Sequence, residues 1–162
     1  MKWPLLNKTP SIPPEGSVGD FAFRRSWYYH PGIDLYCEAN QAIQAIEDGV
    51  VVNVENFTGP EANPPSPWWL ETYSILIEGK SGVLGYCELK PMSYIQTGFA
   101  IKEGDIIAHI VPVLKKDKGN GTTMLHFEQY QKYTTNHVTW ELDTEMPQEL
   151  MNPRFLLESL IT

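Results

Sequence analysis

The sequence predicts an all-β fold, a mostly antiparallel sandwich and barrel hybrid with long loops and one short C-terminal helix. Two observations carry this expectation. Apolar residues cluster in short blocks at 42–46, 49–54, 72–78, 83–89, 106–113 and 123–130, rich in β-branched and aromatic side chains and bounded by Gly, Pro, Asn or Lys. Each block is too short for a stable helix but has ordinary strand length.

Along the chain, Pro4, Pro10, Pro13, Pro14 and Gly16 break up residues 1–20. Each proline pushes the residue before it toward extended backbone, so this stretch is expected to be a wrapping arm. Residues 21–145 are expected to form the main domain and 146–162 a helical tail. In 72–78, Tyr73, Ile75 and Ile77 alternate with Thr72, Ser74, Leu76 and Glu78, the period of a half-buried strand. In 123–130 the same alternation puts Met124, His126 and Glu128 on one face and Leu125 and Phe127 on the other. Two stretches, 57–69 and 115–122, read as long loops; the first carries Trp68 and Trp69, either a binding wall or packing for their own domain. In the tail, Pro153 stands at a first helical position ahead of apolar residues at 155, 156, 157 and 160.

A chain of 162 residues fits one domain that buries roughly two thirds of its unfolded surface, so a metal is not needed to hold it together. The formal net charge of −8 argues against nucleic acid, whose binding depends on clustered Lys and Arg. The one basic cluster, Lys115-Lys116-Asp117-Lys118, reads as a solvated loop. The N-terminus lacks the apolar stretch of about 7–15 residues that marks a secretory signal, and no run approaches the roughly 20 residues of a membrane span. The default expectation is a cytoplasmic protein with no membrane partner, in which Cys37 and Cys87 are reduced thiols.

His30, Asp34 and His126 are the candidate metal ligands. Bonds from zinc to imidazole nitrogen and carboxylate oxygen are about 2.0–2.2 Å, so the donor atoms must converge to within roughly 3–3.5 Å. Residues four apart on a straight strand lie about 13 Å apart, so His30 and Asp34 can share an ion only if the chain bends between them. Pro31-Gly32 supplies the bend, the proline by fixing φ and the glycine by its access to positive φ. His109, in an apolar block, is expected in the core, and His137, in a polar stretch, is expected to be exposed.

With these residues in view, the chain resembles the lysostaphin-type, LytM-like zinc endopeptidases that cut peptide cross-links in bacterial cell walls. Tyr29-His30-Pro31-Gly32-Ile33-Asp34 is similar to that family's His-x-Gly-x-Asp motif. Gly49-Val50-Val51 resembles the strand that follows it, and Ile101-Lys102-Glu103-Gly104-Asp105-Ile106-Ile107-Ala108 resembles the turn before the last strands. Met124-Leu125-His126-Phe127-Glu128 stands where the family has His-Leu-His-Phe-Glu. The resemblance implies a Zn2+ ion on His30, Asp34 and His126, with a fourth position open to a reacting group. It also implies two proton-handling histidines, and both are replaced here. Met124 stands for one, and in Gly85-Tyr86-Cys87-Glu88-Leu89 the position of the other is Glu88. A thioether takes no proton at neutral pH. Glu88 could be a rewired general base, a fourth metal ligand or a residue with no role at the metal. A shorter similarity, over 89–105, is to leukocyte cell-derived chemotaxin, a relative regarded as non-enzymatic that keeps the ligands.

Two functions follow from the resemblance. The first is a zinc-binding, catalytically degenerate domain that recognises a peptide, glycan or protein partner. The alternative is an active zinc-dependent endopeptidase or amidohydrolase of cell-wall peptides, in which Glu88 activates water and Tyr86 or a loop tyrosine steadies the oxyanion. Action at a cell wall sits against the absence of a visible export signal, and a phage-associated or lysis-dependent release would reconcile them.

Overall fold

The computed structural model describes residues 1–116 and 123–162. The loop expected at 115–122 therefore lies largely outside the described residues, including Asp117 and Lys118 of the basic cluster. Among the described residues nine strands and one helix are formed: β1 (Ile33–Tyr36), β2 (Ala42–Gln44), β3 (Gly49–Thr58), β4 (Thr72–Gly79), β5 (Gly82–Pro91), β6 (Ala100–Ile101), β7 (Ile106–Ile110), β8 (Met124–Tyr130), β9 (Leu150–Met151) and α1 (Arg154–Ser159). All pairings are antiparallel, in the order β1-β8-β5-β4-β3-β6, with β2 on β7, β7 on β5 and β9 on β8. The expected all-β class and short C-terminal helix are what the structure has, and the sheet is open between β1 and β6 rather than closed as a barrel.

β5 organises the molecule. Its first half, Val83 to Cys87, pairs with β8, and its end, Leu89 to Pro91, pairs with β7. Glu88 is the residue at which the partner changes, and it also faces a register shift in β4, where Tyr73 pairs with Leu89 but Ser74 with Cys87. Glu88 is thus the extra residue of a bulge, and its φ of 67° confirms the left-handed backbone. Holding a glutamate there costs on the order of 1–3 kcal/mol, which the long ladders on either side sustain.

One face of the sheet carries the core, including Ile33, Leu35, Ile75, Ile77, Leu84, Leu125 and Phe127. Leu125 and Phe127 point into it, as the alternation in 123–130 predicts. β4 departs from the half-buried strand expected of 72–78. Thr72, Ser74 and Leu76 are buried as well as Ile75 and Ile77, because a second cluster of Leu76, Val83, Tyr130 and Leu150, with Val138 and Trp140 packed on it, covers the other face. A strand reads as one-sided in sequence when what covers its second face comes from a distant, non-periodic segment.

The chain ends are fastened to the core. Along the arm, Leu6 N–H donates to Ala42 O and Gln44 N–H to Pro4 O, while Trp3 and Leu5 are buried. In the tail, β9 precedes the helix, Leu157 is buried in the main core, and the Arg154 guanidinium donates to Pro13 O (2.7 Å) and Asp20 Oδ1 (2.6 Å). No described helix is long and apolar enough to cross a membrane.

Candidate metal centre

The register of β1 against β8 sets Asp34 directly opposite His126, which places their side chains together on one face. His30 reaches the same point from the loop before β1, where its N–H donates to Phe23 O and its carbonyl accepts from Ala22 N–H. Gly32 lets the loop approach: a Cβ there would lie 2.4 Å from Phe127 O and 2.9 Å from His126 Cε1. The expected bend at Pro31-Gly32 is present, but the reason for glycine differs from the one read in the sequence. It is needed for space against β8 rather than for a positive φ.

The result is a convergent donor set. His30 Nε2 lies 3.1 Å from Asp34 Oδ1 and 3.1 Å from His126 Nδ1, and Asp34 Oδ1 lies 2.9 Å from His126 Nδ1. The three residues are only 1%, 4% and 6% exposed. Every remaining polar atom of the set is engaged on its outer side. His30 Nδ1–H donates to Asp20 O (2.7 Å), His126 Nε2–H donates to Glu128 Oε1 (2.9 Å), and Asp34 Oδ2 accepts from Arg25 (2.9 Å). Both rings keep their outer N–H on an acceptor, so a metal that displaced the inner proton would meet a lone pair on each ring.

The electrostatics of the set ask for a cation. Burial alone would raise the Asp34 carboxyl, but hydrogen bonds from His126 and His30 hold it far below the usual carboxylate range. Burial lowers His30. Burial would lower His126 too, but its hydrogen bonds to Asp34 and Glu128 and their charges hold it well above an ordinary histidine. Two buried carboxylates thus flank one ring, and a bound metal ion would supply the positive charge that a proton otherwise provides. Two imidazole nitrogens and a carboxylate oxygen are a donor set that fits a zinc-like ion.

These residues open into a cleft of about 700 Å³. Met124 lines it beside the donor set, as do Trp68 and Trp69, the former 64% exposed with its ring 6.1 Å from its neighbour's. Glu88 lines it as well. Its Oε2 is shielded from solvent yet has no hydrogen-bond partner among the described residues. Burial, the largest influence, pushes its carboxyl up to about 7. Its oxygens are not part of the group converging within 4.8 Å, so Glu88 stands beside the donor set rather than in it.

Tyr86, expected as an oxyanion donor, is elsewhere. It is fully buried, packs edge-on against Phe127, and its hydroxyl accepts from Ile46 N–H on the core side of the sheet. Successive strand residues face opposite sides, which is why Tyr86 points to the core while Cys87 lies opposite His126. Cys37 and Cys87 are both free thiols. His109 is half-buried at the β2–β7 pairing rather than in the core. His137 is not the exposed loop residue its surroundings suggest. It lines the cleft, donates from Nδ1 to Glu128 Oε2, and accepts at Nε2 from Ser74 Oγ (2.8 Å).

Sequence reasoning missed Arg25, Asp20, Glu128 and His137 as partners of the site. Glu128 carried a signal, because it shares a strand face with His126 two residues away. The others come from loops whose docking no periodicity encodes.

A β-sheet bearing a buried His, Asp and His donor set at the mouth of a cleft defines a metallopeptidase-type domain. The profile of Peptidase family M23 matches residues 28–139, and the chain belongs to that family. Comparison with curated proteins gives no match. Among solved structures, Helicobacter pylori Csd3 is similar over 99% of this chain and 38% of its own, with 17% identity and a TM-score of 0.51. CbpA from L. salivarius REN is similar over 93% of this chain and 90% of its own, with 16% identity and a TM-score of 0.57. At such identities the likeness is one of fold, and this chain spans well under half the length of Csd3.

Proposed function

We propose that this is a zinc-binding peptidase-fold domain that recognises a peptide of the bacterial cell wall, or a protein or glycan partner, without efficient hydrolysis. The observation that carries the reading is the convergence of His30 Nε2, Asp34 Oδ1 and His126 Nδ1 next to a cleft in which Met124 contributes no proton acceptor. Zinc held there would act as a Lewis acid toward a carbonyl of the bound molecule. Met124 and the exposed Trp68 ring offer apolar surface for side chains, and Arg25 is committed to Asp34 and to Val18 O. The formal net charge of −8 favours neutral or amine-bearing ligands over acidic ones.

A specific observation favours a second reading, active hydrolysis. Glu88 carries an unpartnered, shielded Oε2 and a carboxyl pushed up to about 7, suited to a general base near neutral pH. In that case Glu88 takes the proton from an attacking water and returns it to the departing amine. Incubation of the zinc-loaded chain with cross-linked muropeptides separates the two. Zinc-dependent binding without turnover supports the first; turnover that rises with pH through about 7 and is lost in Glu88→Gln establishes the second.

A further inference from the structure

Behind the metal ligand His126 runs a chain of hydrogen bonds that leads from the sheet into the segment that follows β8. His126 Nε2–H donates to Glu128 Oε1, while Glu128 Oε2 accepts from Tyr130 Oη–H (2.6 Å) and from His137 Nδ1–H, and His137 Nε2 accepts from Ser74 Oγ–H. Glu128 is 2% exposed and has room for its side chain because Gly85 lies opposite it, where a Cβ would sit 3.2 Å from Glu128 Cβ.

His137 is the one member of this chain that does not sit on the sheet. It belongs to the 131–149 segment, which is docked at both ends of the donor set. On the His30 side, Trp140 O accepts from Tyr29 N–H (2.9 Å) and the two rings pack 4.9 Å apart. On the His126 side, His137 holds Glu128 and its ring lies 5.1 Å from Phe57, which also stacks on His126 at 5.7 Å. Cys87, Glu128 and His137 also offer donors within 4.8 Å of one another. There, however, the carboxylate is already saturated by three donors and the thiol is pushed well above its usual range by burial, so the group reads as a hydrogen-bonded relay and not as a second metal site.

We infer that His137 is a positioning residue: through Glu128 it locks His126 with Nδ1 facing the metal, so that docking of the 131–149 segment and metal binding are one linked event. The inference rests on the zinc reading above. A carboxylate that orients a ligating histidine typically accounts for 10–100-fold in metal affinity, and His137 together with Tyr130 orients that carboxylate. Linkage makes the effect reciprocal, so zinc must stabilise the docked segment by the same factor.

Zinc titration of the full chain tests this, together with amide hydrogen exchange at Val138, whose N–H donates to Tyr130 Oη. The expected result is one zinc per chain, an affinity about 10–100-fold weaker in His137→Ala, and recovery in His137→Asn, which keeps a donor at the Nδ1 position. Zinc should also slow Val138 exchange in the parent and not in His137→Ala. If His137→Ala does not fold, Ser74→Ala cuts the far end of the same chain and should weaken zinc binding by less. A parent that binds one zinc, with affinity unchanged in the folded variant, overturns this inference alone. A parent that binds no zinc overturns the zinc reading with it, and two zinc ions per parent chain, one of them lost in His137→Ala, replaces the relay by a second metal site.

Discussion

Two groups of side chains in this molecule have nearly the same composition and opposite characters. His30, Asp34 and His126 form one, Cys87, Glu128 and His137 the other, and each brings its donor atoms within a single coordination sphere's reach. In the first, every outer polar atom is bonded away from the centre, which leaves three lone pairs aimed at one point. In the second, Glu128 spends both oxygens on donors, one from within the group, His137, and two from outside it, His126 and Tyr130. The difference teaches that proximity does not make a metal centre. What makes one is the direction in which hydrogen bonds have already been used.

The comparison breaks most visibly by deletion. His126→Ala or Asp34→Ala should abolish stoichiometric zinc in the purified protein, whereas Cys87→Ala should leave it intact, as metal analysis will read directly. Full zinc in His126→Ala would sink the assignment of the first group. Next in size is Gly32→Ala. Its Cβ must displace Phe127 O, and overpacking of this kind costs about 1–3 kcal/mol, read as a lower melting temperature together with weaker zinc binding. An unchanged melting temperature would mean that the loop before β1 yields freely at Gly32.

A pH series sharpens the contrast further. In the metal-free chain the Glu88 carboxyl is raised to about 7 from 4.5, so the folded state holds its proton more tightly than the unfolded state. Stability attributable to Glu88 is then fully present below about 4.5 and is lost as the pH rises to about 7. Glu88→Gln should flatten that decline in denaturant titrations, and an identical decline in the variant would place its origin elsewhere. The smallest effect concerns thiol chemistry. Burial pushes Cys37 up to about 11 and raises Cys87 well above an ordinary thiol, so alkylation of the native chain at pH 8 should be slow at both and become fast on unfolding.

Much of this was legible in the sequence. Strand blocks and the alternation in 123–130 follow from periodicity, and the bend between His30 and Asp34 from residue type, because they concern neighbours on one strand or across one bend; that His126 joins them came from the family resemblance. What was not legible depends on docking between distant segments. Leu76 and Ser74 looked solvent-facing because the cover over them comes from 131–149, and His137 looked exposed for the same reason. Tyr86 was placed at the site by its closeness in sequence to Glu88, yet two residues of strand plus a bulge put the two on opposite sides of the sheet.

The direction in which residue 88 projects is written into a left-handed backbone held by two flanking ladders, not into the chemistry of the side chain it carries. Position 88 is therefore a socket, and what is seated in it can be exchanged without rebuilding the sheet around it. On the function proposed above, this socket and Met124 on the neighbouring wall are the two places where a side-chain exchange would separate a domain that grips from one that cuts.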